Sequence, residues 1–192
     1  MPRQPRAELE AGVHHVIARG NRKQRIYVDD GDRNRYMAAL GRITIRMQWY
    51  CLAFCLMGNH VHLLIETRIP NLGAGMKLLH GSYAQYFNRR HDLSGHVFQD
   101  RFKAVPIATD PQLWVTAAYI AHNPVAAGLC RAPGDWPWSS HGSMLGDWSP
   151  SWFARERLLS RFAADGGDPH RVYLDVVEAL AFRRELKGDN PL

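Results

Sequence analysis

His60 and His62 stand two residues apart in CLMGNHVHLLIE, residues 55–66, where most other side chains are apolar. Val61, Leu63 and Ile65 alternate with His60, His62 and Leu64 at the period of a strand, so both imidazoles leave one face and can converge on one atom. Further along, AAYIAHNP places Tyr119 and Asn123 four residues apart, one turn from each other on a helix face. Two neutral imidazoles and the amide oxygen of Asn123 make a ligand set for Mg2+ or Mn2+ that leaves positions open for phosphate oxygens. Uncharged ligands leave the ion's full charge to polarise a phosphodiester and to stabilise the negative charge that builds as it is cleaved. A tyrosine, with a reference pKa near ~10, needs such a positive site to act as a nucleophile. A phosphotyrosine formed there would keep the phosphodiester's energy for transfer to a DNA 3′-hydroxyl. The histidine pair alone fits a surface feature equally well; its combination with Tyr119 and Asn123 is what points to metal chemistry.

These residues need elements to hold them. GVHHVIARG, residues 12–20, alternates like a first strand and runs into a Gly-Asn turn. Residues 29–49 begin with acidic residues suited to a helix N-terminus and carry Tyr36, Leu40, Ile43 and Met47 at helical spacing. WYCLAFCLM and HVHLLIE read as two strands reversing at Gly58-Asn59, which presents the histidines beside the turn. A second helix follows through Met76, Leu79, Tyr83 and Phe87, then a last strand at residues 101–108. Strand, helix, strand, strand, helix, strand is the split βαβ, ferredoxin-like α+β plan: an antiparallel sheet with both helices on one face. The other face is expected to be open, with His60 and His62 turned to a ligand. A third helix, about 110 to 123, carries Tyr119 and is expected to close at Pro124. APGDWPWSSHG reads as an ordered loop. One more helix is expected at RVYLDVVEALAFRREL, before a polar tail. The domain division is therefore 1–149 for the nuclease-like unit and 150–192 for a helical extension.

Charge is distributed unevenly. Residues 1–109 hold 16 Lys and Arg against 8 Asp and Glu, a net of +8, whereas residues 110–192 hold 8 against 10, a net of −2. A basic first part suits a polyanion, nucleic acid above all, although a surplus of this size also serves solubility. Arg89, Arg90, Arg101 and Lys103 form one candidate phosphate-contacting cluster, and Arg19, Arg22, Lys23 and Arg25 a second. Cys51, Cys55 and Cys130 make no CxxC pair and no even-numbered framework. With no signal-peptide pattern and no run of transmembrane length, they lead to the expectation of a cytoplasmic protein without a membrane partner.

FCLMGNHVHLLIE with YIAHNPVAAGL resembles the transposase family of the IS200/IS605 type, whose signature is His, hydrophobic residue, His plus a single tyrosine. HHVIARGNRKQRIYVDDGDR, YFNRRHDLSGHVFQDRFKA and DWPWSSHG extend the resemblance over roughly residues 12–145 and bring it closest to the branch associated with repetitive extragenic palindromes (REP). The resemblance implies a single-strand endonuclease and strand transferase that recognises a DNA hairpin beside a short tetranucleotide, acting as a monomer or homodimer. It implies His60, His62 and Asn123 as metal ligands, with Mg2+ or Mn2+ as cofactor, and Tyr119 as the residue that forms a 5′-phosphotyrosine. Some relatives carry Gln where this chain has Asn123.

Other residues compete for these roles. Tyr83 and Tyr86 are rival nucleophiles, although Tyr83 fits a core position. His122 points about 100° from Asn123 on a regular helix, and His14 and His15 read as strand residues first, with contact of one of them to DNA as the lesser alternative. Trp136 and Trp138 suit either base stacking or a cap over the core. Two other classes compete with the transferase. A non-catalytic nucleic-acid module of the same fold explains the basic half but not Tyr119 beside Asn123. A zinc hydrolase needs a carboxylate, and Glu66 stands four strand positions from His62 with no HExxH in the chain.

Overall fold

The protein is described here by a computed structural model covering residues 9–146, 148–163 and 166–187. Its sheet has four strands: β1 (Gly12–Arg19), β2 (Tyr50–Leu56), β3 (His60–Thr67) and β4 (Lys103–Ile107), in the order β2-β3-β1-β4. All three pairings are antiparallel. Helices α1 (Asp30–Met47) and α2 (Leu72–His91) make the two crossovers. The expected split βαβ plan is therefore the fold.

Strand pairing decides which side chains share a face. His60 is opposite Arg19, His62 opposite Ile17, and His15 opposite Leu64, so these six look out of one side of the sheet. Val16, Ala18, Val61, Leu63 and Ile65 look out of the other and are buried in the main core. α1 and α2 pack there, through Tyr36, Leu40, Met76, Leu79 and Tyr83. Asp29 caps α1 by accepting from Asp32 N–H, and the buried Asp32 carboxylate accepts from Val28 N–H. Arg90, near the end of α2, donates to Asp29 and Asp32, and His91 lies 2.9 Å from Asp32. These contacts pin the two helices together at the end of the sheet where β1 stops and β3 starts.

The histidine face is not open, contrary to the expectation. Helix α3 (Asp110–Ala126) lies against β2 and β3, burying Ala117, Ala118, Ile120 and Ala121. Cys55, Ala53 and Leu64 on that face are apolar and need such a cover. Only the β4 side stays accessible, where Lys103 and Val105 are exposed. α3 also runs past its expected end, with Pro124 inside it. Proline removes one N–H late in the helix, where a single lost bond is tolerated. The chain then leaves through Gly128 at φ +68°, with Gly128 N–H donating to Val125 and Leu129 N–H to Pro124.

The segment read as a loop contains a short helix, α4 (Ser140–Leu145). Trp136 and Trp138 take the capping role: Trp136 Nε1 donates to Leu56 O, Leu56 N–H donates to Trp138 O, and Arg33 sits 5.6 Å from each ring. The described part of residues 150–192 adds α5 (Arg155–Leu159) and α6 (Pro169–Lys187). α6 packs along the back of α3, where His122 Nε2 donates to Val177 O, and the turn at residues 160–162 adds Arg161 O as acceptor for Trp114 Nε1. With neighbours on two sides, the second half of α3, from Ala117 to Pro124, is largely buried, which explains its run of apolar residues. The polar tail lies outside the described residues.

Candidate active site

β3 brings His60 and His62 to one face, and their rings are 5.0 Å apart, edge to face. α3 crosses that face so that the Tyr119 ring lies 5.7 Å from His62 and 5.9 Å from His15. One turn on, the buried Asn123 donates from Nδ2 to Tyr119 O, a bond that does not use its amide Oδ1. His15, His60, His62 and Tyr119 thus gather on one face of the sheet, with Asn123 one turn along the helix from Tyr119. His122 turns to α6, as its helical offset implies. Tyr83 is buried in the other face and donates to Ile26 O, and Tyr86 lies beside it on α2 under Arg35. Neither reaches the histidines.

Two further side chains complete the site. His15 Nε2 is 3.0 Å from His62 Nδ1, and Asn59 Oδ1 is 2.7 Å from His60 Nδ1. Each histidine of the pair therefore has a partner at Nδ1. His14 faces away and is buried among the core residues.

Burial sets the protonation state. It lowers the pKa of His60 to about 4, with Arg19 adding to the effect, and that of His15 to about 4, with Lys103 adding. His62 is pushed well below the ordinary value by burial and then by its histidine neighbours. All three are neutral at neutral pH, so their lone pairs are available. Among the described residues no three His, Cys, Asp or Glu side chains gather as a metal site. The nitrogen donors the site offers are the two neutral imidazoles of His60 and His62. Glu66, the carboxylate a hydrolase needs, is held by Arg157 at 2.6 Å.

These lowered values carry a stability consequence. Histidines held neutral in the fold bind fewer protons than in the unfolded chain, so stability is complete above about pH 6.5 and falls as the pH drops toward about 4. His141, also lowered to about 4 by burial, contributes in the same window. Urea unfolding is expected to give a flat free energy above about pH 7 and a decline between about pH 6.5 and 5, with proton uptake approaching about four, one for each of these histidines. A flat profile through that window contradicts the buried neutral histidines.

The basic candidates divide. Arg19 and Lys103 border the histidines on the same face, through their pairings with His60 and Ile17. Arg22, Lys23 and Arg25 are exposed in the loop after β1. Segment 97–99 docks on that loop, with Asn21 N–H donating to Val97 O and Gln99 N–H to Arg19 O, which brings exposed Arg101 to the same end. Arg89 is exposed on α2. Arg90 is instead engaged by Asp29 and Asp32.

The family described as "Transposase IS200 like" matches residues 9–123, more than half of the 192-residue chain. The chain belongs to that family of transposases. It also resembles the solved structure of a REP-associated tyrosine transposase bound to a REP hairpin, with a TM-score of 0.63 and 18% identity over 80% of this chain and 92% of that one. At that identity the likeness is one of fold. A candidate transposase of Deinococcus radiodurans R1 aligns with a TM-score of 0.43 and 16% identity, over 60% of this chain and 93% of that one. No curated protein matches the chain. Among the described residues no helix is long and apolar enough to cross a membrane.

Proposed function

We propose that the protein is a metal-dependent single-stranded DNA endonuclease and strand transferase of the REP-associated kind, acting at hairpin elements through a 5′-phosphotyrosine. The observation that carries this reading is the placement of Tyr119 5.7 Å from His62, with Asn123 one turn away on the same helix. His60, His62 and Asn123 would hold Mg2+ or Mn2+, which when bound supplies charge to polarise the phosphodiester. The Tyr119 oxygen attacks phosphorus, the bond from phosphorus to the 3′ oxygen breaks, and the 5′ phosphate stays on the enzyme. The phenol gives up one proton and the departing 3′ oxygen takes one. Attack by a DNA 3′-hydroxyl on the phosphotyrosine reverses these bond changes and joins strands without ATP.

Arg19, Arg22, Lys23, Arg25, Arg89, Arg101 and Lys103 would contact DNA phosphates, with Arg90 reserved for the link between helices. Such contacts make log affinity fall linearly with log salt, at about 0.7 per phosphate for a single strand. A labelled hairpin flanked by single strand, run on a denaturing gel, is expected to give a protein–DNA adduct with Mg2+ or Mn2+ and none with EDTA. Equal binding with and without EDTA and no adduct under any condition indicates a non-catalytic module. Cleavage without an adduct indicates a hydrolase.

A further inference from the structure

We propose that Asn59 is a positioning residue: it holds His60 in the tautomer protonated at Nδ1, with the Nε2 lone pair turned to the site, and ties that imidazole to the loop after β1. Asn59 Nδ2 is 3.0 Å from the Lys23 carbonyl oxygen. A carbonyl only accepts, so the NH2 group must face Lys23 and Oδ1 must face His60. Oδ1 carries no proton either. The 2.7 Å contact is therefore donated by His60 Nδ1–H, and in a neutral imidazole the lone pair then sits on Nε2. The assignment follows from the Lys23 carbonyl and needs no bound ion.

The backbone explains why that carbonyl is in place. Arg22 and Lys23 have φ of 51° and 61°, successive left-handed residues without being glycine. Their turn wraps the β2–β3 reversal, with Gly20 N–H donating to Asn59 O and Ile26 N–H to Gly58 O. Position 20 has to be glycine, since a Cβ there would lie 2.1 Å from Gln24 O. Arg22 and Lys23 point their side chains to solvent from this turn. A phosphate gripped by them would bear on the same amide that orients His60.

The effect on ion binding rests on the metal reading above; the tautomer does not. Long-range 1H–15N spectra of the metal-free full chain at about pH 8 read the tautomer directly. We expect Nδ1–H at His60 in the wild type, the same in Asn59→Asp, which keeps an acceptor, and a turnover toward Nε2–H in Asn59→Ala. Nε2–H in the wild type, or no change in Asn59→Ala, overturns the proposal, and the wild-type spectrum decides even if the alanine variant does not fold. Mn2+ titration of the same proteins without DNA, followed by electron paramagnetic resonance, is expected to show affinity about 10- to 100-fold weaker in Asn59→Ala and recovered in Asn59→Asp. Unchanged Mn2+ affinity in Asn59→Ala overturns the positioning role. Absence of Mn2+ binding to the wild type overturns the metal reading instead, while the tautomer still decides the part played by Asn59.

Discussion

Tyr119→Phe is expected to abolish strand cleavage and the covalent adduct together, by more than about 10³-fold, with hairpin affinity kept within about three-fold. The substitution removes one oxygen. The ring that packs 5.7 Å from His62 and 5.9 Å from His15 remains, as does the Asn123 bond to the Tyr119 backbone oxygen. The helix, the imidazoles and the basic surface therefore survive, and only the attacking atom is lost. A reaction driven by activated water behaves differently, since no water depends on the phenol; cleavage persisting in Tyr119→Phe at near wild-type rate contradicts covalent catalysis. Quantitative gel assays with single-turnover time courses, beside a binding titration, separate the two.

His60→Ala and His62→Ala are expected to lose cleavage to a similar degree, more than about 10²-fold, and to differ in stability. His62 is 4% exposed and its Nδ1 faces His15 Nε2 at 3.0 Å. Truncating it leaves a cavity and removes the partner of a buried nitrogen, a combination that costs about 1–3 kcal/mol. His60 is partly exposed and its partner Asn59 keeps the bond to Lys23 O, so His60→Ala should fold almost as stably as the wild type. Thermal unfolding read beside cleavage rates tests both halves. A His60→Ala protein that cleaves at near wild-type rate with divalent ion present contradicts the metal-ligand role.

Much of this was legible in the sequence because it depends on periods. The alternation in HVHLLIE puts His60 and His62 on one face whatever the partner strand, and four residues on a helix bring Tyr119 over Asn123 without further knowledge. The split βαβ order follows from the alternation of strand and helix patterns. What failed depends on packing at a distance. That α3 covers the histidine face cannot be read from either element alone, because the apolar character of α3 has two causes, the sheet on one side and α6 on the other. His15 looked like any strand residue, since only the register opposite Leu64 brings it to His62. Asn59 carried a signal in its place between the turn and His60, but its bond to Lys23 requires a left-handed backbone at two non-glycine residues, which no propensity anticipates. The ion pairs of Arg90 with Asp29 and Asp32 join α2 to the start of α1, and no local pattern around Arg90 announces them.

Peptide mapping of the wild-type adduct decides whether Tyr119 carries the DNA. Protein incubated with hairpin DNA and Mg2+ or Mn2+ is digested with nuclease and protease, and the modified peptide is sequenced by mass spectrometry. The nucleotide is expected on Tyr119, attached through a 5′ phosphate. Attachment to Tyr83 or Tyr86, on the far face of the sheet from His60 and His62, contradicts it.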